Sequence, residues 1–263
     1  MVSSQVNKIS LPPTTDFQTL FQPVITDVVE HLSQLLKENL HSIYVYGSVA
    51  NGCAIAEKSD LDICLILKNK IDEFENQQLD KTRVMLGTLH PIVSKVDFDI
   101  GVLSEVLASN NLYSWGYWLK HHCRCILGDD LTQHFSPFAP SRKIALAING
   151  DFAQVVEGYI KQIYQKDFLI EKRHIQRAIA RKLIRSVNIL RSEKDEHWPE
   201  TLEDYVKILK ANYYEQHKNI NYLLSESINP SDDIDVFIHK AKLFTHWLEI
   251  ECLKKDKEDS LKS

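Results

Sequence analysis

Two strand-like runs joined by a glycine-bearing turn constrain this chain more than any other feature. Residues 43–46, IYVY, are β-branched and aromatic and read as a buried strand. Gly47-Ser48 opens a turn at its end, Gly52 follows, and residues 60–67, DLDICLIL, read as a second strand. Side chains alternate along a strand, so Asp60 and Asp62 share one face while Leu61 and Ile63 take the other. Two carboxylates held that close repel each other unless something positive sits between them. A hard divalent cation is the simplest candidate, because Mg²⁺ favours oxygen ligands and usually takes one or two carboxylates plus substrate phosphates.

The flanking segments supply the rest of a layered domain. Residues 23–40 place Val24, Ile25, Val28, Val29, Leu32, Leu35 and Leu36 at helical spacing, with Pro23 suited to a first turn. Residues 72–89 carry a weaker helical pattern, and residues 96–103 alternate again as a third strand, with Asp97 and Asp99 on one face. If that strand pairs beside the second, its carboxylates face the same metal as Asp60 and Asp62. Two prolines in FSPFAP, residues 135–140, mark a boundary, and the pattern beyond is wholly helical. One periodic stretch runs from Ile144 to Ile163 and another from Ile175 to Leu190; two further helices follow, beginning near Leu202 and near Ile234, the last with Ser231 as N-cap. The expected architecture is therefore α/β followed by all-α: a mixed-sheet domain over 1–138, a helical bundle over 139–254, and a frayed polar tail over 255–263.

Composition excludes several classes. No apolar run is long enough to span a bilayer, and the N-terminal MVSSQVNKISLPPTTD lacks the basic region and apolar core of a signal peptide, so a cytoplasmic protein without a membrane partner is expected. Five scattered cysteines form no disulfide framework. His121-His122-Cys123-Arg124-Cys125 lacks the paired spacing of a zinc site and reads as a helix end running into an edge strand. A formal net charge of −5 gives no general attraction to nucleic acid, although a local basic patch can override the total.

Gly47-Ser48, Gly52, then Ser59-Asp60-Leu61-Asp62, with an acidic strand about forty residues on, resembles the nucleotidyltransferase fold shared by DNA polymerase beta and small antibiotic-modifying adenylyltransferases. The resemblance covers roughly residues 43–103. It implies that Gly47, Ser48 and Ser59 serve the phosphates of a nucleoside triphosphate, ATP above all, and that Asp60 and Asp62 bridge two Mg²⁺ ions. A third carboxylate would complete a metal site or take the acceptor's proton; Asp97 and Asp99 both qualify by face, with a slight preference for Asp99.

Residues 172–215 resemble the helical domain of bacterial aminoglycoside-type adenylyltransferases. Arg173, Arg177 and Arg181 step at i+4 into a basic ridge, with Lys182 and Arg185 beside it; the ridge reads either as a triphosphate clamp across a cleft or as a solvated basic face. Trp115, Tyr117 and Trp118 read first as core or interface residues and second as an acceptor pocket. Arg191 and His197 form an Arg-x5-His pair read as coincidence within a loop. The expected activity is transfer of AMP to a hydroxyl of a small molecule such as an aminoglycoside, with release of pyrophosphate. A protein- or RNA-directed transferase and a non-catalytic module are the alternatives.

Overall fold

A computed structural model describes residues 8–261. The chain folds as two compact units, one over Lys8–Phe138 and the other from Ala139 onward.

In the first unit the helix α1, Gln22–Leu36, has Pro23 in its first turn and buries Val24, Ile25, Val28, Leu32 and Leu36. It ends where Lys37 turns to φ 45°, and the chain enters β1, Leu40–Tyr46. A four-residue helical turn, α2 (Gly47–Ala50), and a loop lead to β2, Leu61–Leu67. Asp72 and Glu75 form a reciprocal capping box that starts α3, Glu73–Leu89. That helix is the crossover that parallel pairing demands, and it returns the chain to β3, Val96–Val102, beside β2. The short helices α4 (Leu103–Val106) and α5 (Tyr117–His122) precede β4, Arg124–Gly128. The sheet order is β3-β2-β1-β4, with β2 and β4 antiparallel to β1.

Each sheet face is covered. Ile43, Val45, Ile63, Leu65 and Val96 pack against Val28, Leu32, Leu79 and Leu86 of α1 and α3. On the opposite face Tyr44, Cys64 and Ile66 pack with Val106, Leu119, Cys123 and Leu131, backed by Trp115 and Trp118. Covered on both faces, β2 reads as an unbroken apolar run except at Asp62, where the carboxylates continue this second face.

The second unit is helical: α6 (Arg142–Asn149), α7 (Phe152–Gln165), α8 (Leu169–Ser186), α9 (Leu202–Asn212), α10 (His217–Ile228) and α11 (Ile234–Ser260). α8 packs against α7, α9, α10 and α11.

Four expectations are corrected. The stretch from Ile144 to Ile163 is two helices, because the chain turns at Gly150, where a Cβ would lie 2.6 Å from the Leu146 carbonyl. α10 lies where no helix was expected. The N-cap of α11 is Asp233, whose carboxylate accepts from Val236 N, and not Ser231, whose carbonyl and hydroxyl accept from Gln176. The polar stretch from residue 255 is helical to Ser260, since Asp256 and Asp259 pair with the buried Arg142 at 2.7 and 3.4 Å. Among the described residues no helix is long and apolar enough to cross a membrane.

Candidate active site

The sheet register aligns the site. Tyr46 stands opposite Asp62 across the β1–β2 pair, and Asp62 stands opposite Asp97 across the β2–β3 pair. Adjacent strands lie about 4.8 Å apart. Asp60, one residue before β2 begins, brings its carboxylate to the same place, and one oxygen from each of Asp60, Asp62 and Asp97 lies within 4.8 Å of the other two.

Asp99 is not in this group. It is opposite Cys64, two residues or about 7 Å further along β3, and accepts a short hydrogen bond from the Tyr46 hydroxyl. Burial and that bond push the Tyr46 phenol far above its ordinary pKa, so it stays a donor. Between the two carboxylates that share a face of β3, the geometry therefore favours Asp97 over the preferred Asp99.

The turn after β1 requires glycine at position 47. The φ of Gly47 is +72°, a region only glycine enters freely, and a Cβ there would lie 2.3 Å from Asp62 Oδ2. The turn and the carboxylate are thus packed on each other. Arg124 of β4 steadies the same turn by donating to the Ala50 carbonyl at 3.0 Å while its guanidinium lies 3.9 Å over the Phe17 ring. Ser48 is half-buried in α2, its carbonyl accepting from Cys53 N at 3.0 Å. Ser59 works locally: its hydroxyl accepts from Ile55 N at 2.9 Å and its N–H donates back to the Ile55 carbonyl at 2.9 Å, closing the loop before Asp60.

The electrostatics are those of a cation site. Burial first, then the charges of Asp60 and Asp97, push the Asp62 carboxyl up to about 6. Lys95 partly offsets this: its ammonium donates to Asp97 and lies 3.6 Å from Asp60. Burial alone would lower the Lys95 pKa, but Asp97, Asp60 and Asp62 raise it. Ser94 donates its hydroxyl to Asp60, and Arg83 of α3 lies 3.6 Å from Asp97. An all-oxygen donor set around one ammonium fits a hard divalent cation such as Mg²⁺.

Sequence reasoning missed Tyr46, Arg83, Ser94 and Lys95. Ser94 and Lys95 immediately precede β3, so a loop feeding an acidic strand was the available signal; Arg83 reaches Asp97 only through tertiary packing of α3.

The other candidates are placed as follows. Trp115 and Trp118 pack edge to face at 5.4 Å on the carboxylate side of the sheet, and Trp118 meets Tyr46 at 4.9 Å. Tyr117 is buried. His121 bridges Ser10 and Phe138 within the first unit, accepting from Phe138 N at 3.0 Å. In the helical unit Arg173 pairs with Asp232, Arg177 donates to the Ile228 carbonyl at 3.1 Å, and Lys182 pairs with Asp151 at 2.7 Å. Much of the basic ridge thus fastens α8 to its neighbours, while Arg181 and Arg185 are exposed. Arg191 holds its own loop, donating to the Asp195 and His197 carbonyls beneath Trp198.

Residues 25–121, which contain the turn and all four acidic candidates, match the nucleotidyltransferase domain family. No curated protein is significantly similar in sequence. Among solved structures, the chain shares its fold with the crystal structure of spectinomycin adenyltransferase AAD(9) from Enterococcus faecialis with ATP and spectinomycin. The TM-score is 0.55 at 13% identity, over 85% of this chain and 98% of that one, a likeness of fold that spans both units.

Proposed function

Because the chain carries a nucleotidyltransferase domain, and with it the enzymatic class of that domain, we propose that it moves AMP from ATP, with Mg²⁺, to a hydroxyl of a small molecule of the aminoglycoside type. The single observation that carries this reading is the convergence of Asp60, Asp62 and Asp97 against the Gly47 turn inside the matched domain. The fold neighbour, crystallised with ATP and spectinomycin, supports the choice of donor and of a small hydroxylated acceptor. A cytoplasmic location belongs to the same proposal.

In this reading Asp60, Asp62 and Asp97 would hold the divalent ions. When bound, Mg²⁺ supplies charge neutralisation for the triphosphate and a more acidic acceptor hydroxyl. The turn at Gly47 and Ser48 presents backbone N–H groups and a hydroxyl to the β- and γ-phosphates. The acceptor oxygen bonds to the α-phosphorus as the bond to pyrophosphate breaks, and its proton passes to solvent water. Asp99, bound to Tyr46, positions the floor of the site, and Ser59 sets the loop that delivers Asp60. Arg181, Lys182 and Arg185 retain a proposed role toward the triphosphate, to be tested by substitution.

The test is incubation with α-labelled ATP, CTP, GTP and UTP, Mg²⁺, and aminoglycosides, spectinomycin, tRNA or lysate protein, with Asp60→Ala/Asp62→Ala as control. Label passing from ATP to an antibiotic only with the unsubstituted enzyme is the expected result. Label on RNA or protein, or no transfer at all, would overturn the proposed acceptor or the activity respectively.

A further inference from the structure

Lys95 sits where a cation belongs. Its ammonium donates to Asp97 Oδ2 and lies 3.6 Å from Asp60 Oδ2. The other oxygen of each carboxylate has a separate partner: Ser94 Oγ donates to Asp60 Oδ1, and Arg83 Nη1 lies 3.6 Å from Asp97 Oδ1. Arg83 is itself steadied by Asp80 at 3.4 Å. The site therefore divides into two oxygens with partners of their own and two oxygens that share one ammonium.

That division has a chemical consequence. A magnesium ion bonds oxygen at about 2.0–2.1 Å, so an ammonium and a metal cannot occupy the same pair of oxygens. The Lys95 side chain is 55% exposed, and its flexible stem can swing the charge into solvent without opening the core. Ser94 and Arg83 meet the other oxygens of Asp60 and Asp97, so neither contact is lost as the ammonium leaves.

We propose that Lys95 is a resident counter-ion of the metal-free site: it holds Asp60 and Asp97 at metal-binding spacing, is displaced by the incoming divalent cation, and so lowers affinity for that cation. The proposal rests on the metal-dependent reading given above. Arg83 and Ser94 are positioning residues in the same device and stay in place through the exchange.

The experiment is an electron paramagnetic resonance titration of Mn²⁺ against the full chain at fixed pH and ionic strength, with Lys95→Met, Lys95→Gln and Lys95→Arg. Removing the charge is expected to tighten Mn²⁺ binding about three- to fivefold in both neutral variants, the upper part of the range an exposed ion pair can supply, while Lys95→Arg stays within about twofold of the unsubstituted protein. Metal-free Lys95→Met is expected to melt below the unsubstituted protein and to recover with saturating Mn²⁺. Equal or weaker Mn²⁺ binding by the neutral variants, beside measurable binding by the unsubstituted protein, would overturn the counter-ion role alone. Absence of Mn²⁺ binding in every protein would overturn the metal-dependent reading and this proposal with it.

Discussion

Asp62 carries a disfavoured charge, half-buried between Asp60 and Asp97, with its carboxyl raised to about 6. A carboxyl whose folded pKa exceeds its unfolded value of about 3.9 favours folding below that lower value and loses the contribution as pH rises through about 6. Metal-free Asp62→Asn is therefore expected to be more stable than the unsubstituted protein at pH 8, by roughly 2 kcal/mol after allowance for solvent. The advantage should shrink as pH falls from about 7 toward 4, which denaturant melts across pH would show. The same substitution should abolish divalent-cation binding. Gly47→Ala forces a side chain into Asp62 at a positive φ; a loss of about 1–3 kcal/mol in stability and at least about tenfold in transfer is expected, read by melting and label assay. At this scale the shared face of Asp60 and Asp62 was legible from alternation alone. The choice between Asp97 and Asp99 was not, because both obey the same alternation and only the register opposite Asp62 separates them.

The element that most depends on distant support is the α2 turn. Gly47 allows its geometry, but Arg124 on β4 ties it from behind, through the Ala50 carbonyl. Arg124→Ala is expected to raise the KM for ATP several-fold and to lower stability by about 1–2 kcal/mol; an unchanged KM would show that the turn holds its shape without it. The strands and α1 were readable because their apolar periodicities are strong, and residues 72–89 resolved into a helix through a capping box, Asp72 with Glu75, that local sequence spells out. α10 escaped because its buried residues, Ile220, Leu223, Glu226 and Ser227, include two polar ones. Glu226 is buried because it accepts from Gln176 and Ser231, partners contributed by tertiary structure. The break at Gly150 was hidden by apolar residues that continue in helical phase on both sides.

Across the whole chain, the candidate carboxylates and the basic ridge fall in different units. The nucleotidyltransferase match ends at residue 121, and the candidate carboxylates all lie before it, whereas the basic ridge of α8 is largely engaged within the helical unit. The polar C-terminal stretch read as frayed from composition, yet Asp256 and Asp259 pair with the buried Arg142. Deleting residues 255–263 should therefore destabilise the helical unit by about 1–3 kcal/mol, measured as a lower Tm, even though no candidate site residue is removed. Such long-range pairs are invisible to periodicity, which reads only neighbours along the chain. The central claim, a nucleotidyltransferase centre built on Asp60, Asp62 and Asp97, is tested most directly by transfer of α-label from ATP to an aminoglycoside-type acceptor by Asp97→Asn and Asp99→Asn side by side. The account predicts a loss of roughly a hundredfold or more for Asp97→Asn and less than about tenfold for Asp99→Asn. The reverse order, or full activity in Asp97→Asn, would contradict it.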